Sequence, residues 1–97
     1  MMPRNYKPIY SETSRKQVKT LHPQVKPAIK SSIEMISKNP YIGKYLEREL
    51  AGYLSYRTKR YRIIYKIVEE KYQIEVHYIG HRKDIYELFG DLIKKNT

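Results

Sequence analysis

The stretch YLSYRTKRYRIIYKIVEEKYQIEVHYIGHRKDIY, Tyr53 to Tyr86, decides how this chain folds. Its residues alternate between apolar and charged or polar types with the period of a strand. Leu54–Thr58 and Tyr61–Val68 read as a hairpin, and Glu69, Glu70 and Lys71 turn the chain into a third strand, Tyr72–Ile79, which Gly80 ends. If Lys59 and Arg60 make the turn, Thr58 faces Tyr61 and Arg57 faces Arg62. One side of the sheet then carries Leu54, Tyr56, Tyr61, Ile63, Tyr65 and Ile67, a core face. The other carries Ser55, Arg57, Arg62, Ile64 and Lys66 and is free to meet a polyanion. Two arginines opposite each other repel unless water or an anion compensates, which is a hint of function. Lys-Arg is poor chemistry for a tight two-residue turn, so a looser connection is expected.

Working outward from this stretch, Asn5–Tyr10 is a short extended segment, and Pro8, which cannot donate to a ladder, assigns it to a sheet edge. Ser11 can cap a helix from Glu12 to Leu21 with Ser14 at its third position, and His22-Pro23 breaks that helix. Val25, Ala28, Ile29, Ile33 and Ile36 predict an amphipathic helix within Pro23–Lys38, with Pro23 or Pro27 in its first turn. The two helices form a hairpin that shares an apolar side, with Lys16, Lys19, Lys26 and Lys30 mostly outward. Asn39-Pro40 ends the second helix, and Tyr41–Glu49 reads as a loop turning at Gly43. After the sheet, Ile85, Leu88, Phe89 and Leu92 predict a last helix within Lys83–Lys95. The expected fold is α+β in one domain over residues 1–97: an N-terminal edge strand, a two-helix hairpin, an antiparallel sheet and a final helix (β-α-α-β-β-β-α).

Composition bounds the function. The 97 residues carry 20 Lys plus Arg against 10 Asp plus Glu, a formal charge of +10, so the partner is expected to be acidic. Eleven tyrosines with no tryptophan favour nucleic acid among acidic partners, because tyrosine stacks on bases and hydrogen-bonds to phosphate. Half or more of those tyrosines are accounted for as strand residues. The absence of cysteine removes disulfides and thiolate metal sites and suits a reducing cytoplasm. No apolar run approaches the roughly 20 residues of a membrane span, and Met1–Tyr10 has no signal-peptide core, so a cytoplasmic protein without membrane contact is expected.

There is no metal-ligand spacing, no phosphate-binding glycine loop and no cysteine nucleophile, so no metal and no cofactor is expected. What does cluster is cationic: Arg57, Lys59, Arg60, Arg62, His81, Arg82 and Lys83, with Tyr86. Such a set suits cleavage of RNA through its own 2′-hydroxyl, which needs a base, cations on the phosphorane and an acid for the departing 5′-oxygen. Arginine can engage two phosphate oxygens at once. His81 changes charge near neutrality and is a possible acid or base; a tyrosine among cations, Tyr86, is a candidate base. Each also has a plain alternative: a solvated strand face for Arg57 and Arg62, a helix-start histidine for His81 beside Asp84, a packing residue for Tyr86. Glu69 and Glu70 read as a solvated turn pair, and His22 and His77 have no evident role.

The pair of motifs SYRTKRYRIIYKI and IGHRKDIY resembles the RelE/ParE superfamily of type II toxin-antitoxin toxins, its RelE branch in particular, over nearly the whole chain. The resemblance implies a fold similar to microbial ribonucleases, with the sheet cradling the helical hairpin, and cleavage of messenger RNA in the ribosomal A site. It implies catalytic roles for Arg57 with Lys59, Arg62, Arg82 and Tyr86, with Arg62 and Arg82 stabilising the phosphorane and Tyr86 as the base. Arg57, Lys59 and Arg60 are alternatives for the basic position of the second strand. Arg60, Lys66 and Lys83 are candidate RNA-binding cations. Implied partners are the ribosome, messenger RNA and a cognate antitoxin in a hetero-oligomer. ParE-type members share the fold but act on DNA gyrase, and a basic RNA-binding module without activity is the plainer alternative.

Overall fold

A computed structural model of the chain describes residues 5–81 and 85–95. The elements run β1 (Lys7–Tyr10), α1 (Glu12–Thr20), α2 (Lys26–Lys38), β2 (Lys44–Tyr45), β3 (Leu54–Thr58), β4 (Tyr61–Val68), β5 (Gln73–His81) and α3 (Ile85–Lys95). They form one five-stranded sheet in the order β1-β5-β4-β3-β2. The expected α+β order is borne out, with two additions. β1 is the predicted edge strand, but it lies parallel to β5 while the other pairings are antiparallel. A parallel neighbour requires a crossover, here the helical hairpin, and strand direction at such a distance leaves no local trace in sequence. The second addition is β2, two residues inside the segment expected to be loop.

Local chemistry explains the helical hairpin. Ser11 caps α1 as expected, its Oγ accepting from the Ser14 N–H at 3.1 Å. Ser14 is buried and donates to the Val76 carbonyl at 2.7 Å, and the Gln17 Oε1 accepts from the Ile79 N–H at 2.7 Å. β1 pairs with β5 only as far as Val76, so α1 satisfies edge groups of β5 that β1 leaves open. α2 starts at Lys26 rather than Pro23, with Pro27 in its first turn. The preceding residues form a turn instead, in which the Val25 N–H bonds to the His22 carbonyl and the His22 Nδ1 accepts from the Gln24 N–H.

The main core joins Ile29, Ile33 and Ile36 of α2 to Leu54, Ile63, Tyr65, Ile74, Val76 and Ile79 of the sheet. All six residues assigned to the core face of the hairpin lie in or against this cluster. The opposite face departs from expectation. α3 covers its centre, burying Ile85 and Phe89 against Ile64 and Leu50, so only the two ends of that face remain open. Within the α3 stripe Leu88 points outward and is 48% exposed. β5 continues through Gly80 to His81, two residues past the predicted end at Ile79. Gly80 lies beneath α3, where a Cβ would come within 2.7 Å of the Ile85 side chain.

Tyr65 ties the core to the segment before β2. Its ring is fully buried, its hydroxyl donates to the Pro40 carbonyl at 2.5 Å, and it accepts from the Gly43 N–H at 3.1 Å. Gly43 has an ordinary φ of −76°, so this glycine is needed for space: a Cβ would run into the Tyr65 ring. Burial pushes the Tyr65 hydroxyl up to about 12.

The β3–β4 turn is as tight as the register requires, with Thr58 opposite Tyr61. The anticipated looseness is absent because Lys59 takes a left-handed conformation, φ 55°, which costs a residue with a Cβ about 1–2 kcal/mol. Lys59→Gly relieves that strain but frees the unfolded chain by roughly 0.5–1 kcal/mol, so the net expected change is a small gain, read as a higher urea midpoint at unchanged slope. Tyr65→Phe leaves the Pro40 and Gly43 groups unpaired and is expected to cost about 1–3 kcal/mol. The folded-state value of Tyr65 lies above that of the unfolded chain, so the unfolded state loses its proton first. Its contribution is therefore intact below about pH 10 and declines toward pH 12. Urea melts of both proteins across that range should show the gap between them narrowing as pH rises.

Candidate functional site

One end of the α3-side face gathers the chemistry. Arg57 on β3 faces Arg62 on β4, and Arg62 faces Gly80 on β5. With no side chain beyond it, the half-buried Arg62 turns to the first turn of α3. Its Nη1 donates to the Tyr86 hydroxyl at 3.0 Å, and its guanidinium carbon lies 5.5 Å from the centre of the Tyr86 ring. The Tyr86 hydroxyl donates in turn to the Ser55 Oγ at 3.0 Å, and Ser55 is 5% exposed. A connected chain thus runs from a cation through a phenol to a buried serine. Across the sheet from Ser55 is the exposed Lys44 of β2, and cross-strand partners share a face. No carboxylate among the described residues pairs with Arg57, Arg62 or Lys44.

The remaining predicted residues fall elsewhere. Lys59 and Arg60 are exposed in the turn, one step beyond the arginine pair. His81 is not brought to the cluster: it pairs with Tyr61, and its ring sits 5.0 Å from the Tyr61 ring, while Tyr61 packs against the α2 core. Alternation therefore puts His81 on the face opposite Tyr86. Lys66 shares the face of Arg62, but four residues of strand, about 13 Å, separate them, and its Nζ lies 5.5 Å from the centre of the Tyr53 ring. Arg82 and Lys83 lie outside the described residues.

Two members of the cluster escaped the sequence reading. Ser55 was placed on the right face, but only the packing of α3 gives its hydroxyl a partner. Lys44 sits in a two-residue strand with no periodic signal. His77, given no role from sequence, is the extra residue of a bulge, since Tyr65 faces Val76 while Ile64 faces Tyr78. Its ring lies 5.3 Å from Tyr53 and 6.2 Å from Phe89, and its Nε2 is 3.0 Å from Glu75. His77, Tyr53 and Phe89 border a cleft of about 260 Å³ lined also by Ser11, Thr13, Leu92 and Ile93. No group of His, Asp and Glu among the described residues could hold a metal ion. No helix among them is long and apolar enough to cross a membrane.

The chemistry on offer is therefore cationic and phenolic. Arg62 holds a tyrosine oxygen beside further positive charge, and no carboxylate among the described residues pairs with it; such a cluster is complementary to an anion.

Residues 4–86 match the family model described as the ParE toxin of the type II toxin-antitoxin system parDE. The chain is similar to Toxin RelG of Mycobacterium tuberculosis (strain ATCC 25618 / H37Rv), with 34% identity over 79 residues, 79% of this chain and 91% of that protein. Among solved structures it resembles the toxin-antitoxin complex RelBE2 from Mycobacterium tuberculosis, with a TM-score of 0.75 and 31% identity over 80% of this chain and 99% of that one. The isolated E. coli RelE toxin shares the fold, with a TM-score of 0.69 at 21% identity over 91% of this chain and 98% of that one. The chain belongs to the RelE/ParE superfamily of type II toxin-antitoxin toxins.

Proposed function

We propose that this protein is a ribosome-dependent messenger RNA endoribonuclease, held inactive by a cognate antitoxin. The observation that carries this reading is the Arg62–Tyr86–Ser55 chain, set in a cluster of cations with which no carboxylate among the described residues pairs. RNA cleavage through the 2′-hydroxyl requires a proton acceptor and charge stabilisation at one phosphate. In this reading Tyr86, acting as its phenolate, takes the 2′-hydroxyl proton as the 2′-oxygen attacks phosphorus. Arg62 and Arg57 neutralise the phosphorane, with Arg82 as the further cation that the family resemblance assigns. A neighbouring cation assists the departing 5′-oxygen by offsetting its developing charge. Lys44 and the turn residues Lys59 and Arg60 extend the positive surface along the RNA backbone. The similarity to RelG and to the RelBE2 complex supports the RelE-like branch and an antitoxin partner. A protein of charge +10 with such a cluster attracts an acidic antitoxin segment, which would mask the site.

A second reading has one specific observation in its favour: the matching family model is described as a ParE toxin. A ParE-like protein would act on DNA gyrase and leave transcripts intact.

Expression without antitoxin is expected to arrest growth and to create new 5′ ends at A-site codons of translated messages, mapped by primer extension. Arg62→Ala is expected to lower cleavage by about a hundredfold or more while the protein stays folded by circular dichroism. Arrest with intact transcripts and a DNA-damage response would overturn the ribonuclease reading in favour of the gyrase one.

A further inference from the structure

Of the three histidines, the fold uses two. The His22 Nδ1 accepts from the Gln24 N–H, and the His77 Nε2 lies 3.0 Å from the Glu75 carboxylate. His81 is different: among the described residues no hydrogen bond or ion pair engages its exposed side chain, which meets the Tyr61 ring at 5.0 Å with the two planes 55° apart. A tilted contact of this kind does not cover the flat faces of the imidazole. Tyr61 is half-buried and packs against the α2 core, so it holds the pair in place, while its hydroxyl has no partner among the described residues and is not enclosed. Two rings thus share an open surface with their polar atoms unengaged.

The pair stands on the last rung of the sheet. Thr58 of β3, Tyr61 of β4 and His81 of β5 lie side by side there, and the rung behind them, about 3.3 Å away along the strands, consists of Arg57, Arg62 and Gly80. Alternation sends the side chains of the two rungs to opposite faces. The rings and the arginines therefore lie back to back around one end of the sheet, with the exposed Lys59 and Arg60 of the turn between them.

We infer that His81 and Tyr61 form a nucleobase subsite, in which an unpaired base of the RNA stacks on the imidazole while its phosphate chain passes over Lys59 and Arg60 to Arg57 and Arg62. The inference rests on the ribonuclease reading for the identity of the ligand, but the binding of a base can be observed without cleavage. Flat aromatic faces accept any base, and cations beside them hold the backbone that carries it. An exposed ring gains little from packing alone, since apolar burial scales with the area removed from water. An acidic protein segment would answer the cations but leave the rings without a role. A single-stranded RNA uses both.

The test uses the full-length protein freed of its antitoxin, in three forms: wild type, His81→Ala and His81→Phe. The probe is a fluorescent 2′-O-methyl oligoadenylate, which has no 2′-hydroxyl to attack and stays intact, and its control is the same phosphate chain with abasic residues. Fluorescence anisotropy gives the dissociation constants over a range of salt. His81→Ala is expected to bind the oligoadenylate about tenfold more weakly, and His81→Phe, which keeps a flat ring, to return toward wild type. On the abasic chain all three should bind alike. The slope of log Kd against log salt should be the same in wild type and His81→Ala, because stacking releases no counterions. Equal affinity of wild type and His81→Ala for the oligoadenylate overturns the inference, as does a wild type that does not prefer it to the abasic chain. A loss that persists on the abasic chain with a shallower salt slope marks a phosphate contact and overturns it too. Weaker binding of the co-purified antitoxin by His81→Ala, with RNA binding unchanged, gives the rings to the protein partner and also overturns it. If binding depends on the base as expected but wild type leaves ribosome-bound messages intact, the ribonuclease reading falls and the subsite stands. Melting temperatures of the three proteins check that each variant is folded.

Discussion

Two guanidinium groups face each other across a β-hairpin, and much of the structure around them serves to keep them there. The Arg57–Arg62 pair is set by the register of β3 and β4, and a slip by one residue would bring both arginines to the core side. What forbids the slip is the other face of the same strands, where Leu54, Ile63 and Tyr65 are buried against α2. Each fully buried side chain of that size contributes about 1.5–3 kcal/mol, while an exposed and a half-buried like charge at cross-strand distance cost on the order of 1 kcal/mol where water reaches both. Burial therefore outweighs repulsion, and the core holds an arrangement that the charges by themselves would oppose. The repulsion persists in the folded protein, ready to be relieved by an anion.

The second constraint is α3. By covering Ile64 it divides the outer face of the sheet into two ends. One holds Arg57, Arg62, Ser55 and Tyr86; the other holds Lys66, Glu75 and the bulged His77. Without the helix this face would expose apolar Ile64 and Tyr78 between its two charged ends. With it, the arginine end acquires a phenol at 3.0 Å from a guanidinium, and general attraction becomes a defined geometry. Gly80 is part of the same device, because its missing side chain lets Ile85 lie against β5 and leaves Arg62 free to turn toward Tyr86.

This division also marks how far the sequence could be read. The hairpin, its register and both of its faces were legible, since strand alternation with a buried side is a local signal. So were the cap at Ser11 and the helical period of α2. Three things were not. The parallel placement of β1 depends on a contact between residues more than sixty positions apart. The covering of the outer face depends on where α3 docks, and its apolar stripe says that it docks but not on which side of the sheet. Ser55 and Lys44 belong to the site only through those tertiary choices, so residue type gave no reason to single them out. His81 shows the converse: its position next to Arg82 in sequence suggested a shared role, while alternation along β5 turns its ring to Tyr61 on the other face. For strand residues, adjacency in sequence argues for opposite faces.

The same geometry bears on why such a protein would need a partner. Arg57, Arg62 and Lys44 are held in place by backbone ladders rather than by ion pairs with the described carboxylates, so the site is organised before any ligand arrives. Preorganised charge is what stabilises a transition state most effectively, because little reorganisation is left for the moment of reaction. It is equally effective at attracting any acidic segment that fits, since the ordering of the receptor side has already been met by folding. No carboxylate among the described residues neutralises these cations, so an acidic segment would meet them without first breaking an ion pair. On the proposed reading, control would come from an acidic antitoxin segment that occupies these cations, drawn by the same uncompensated charge.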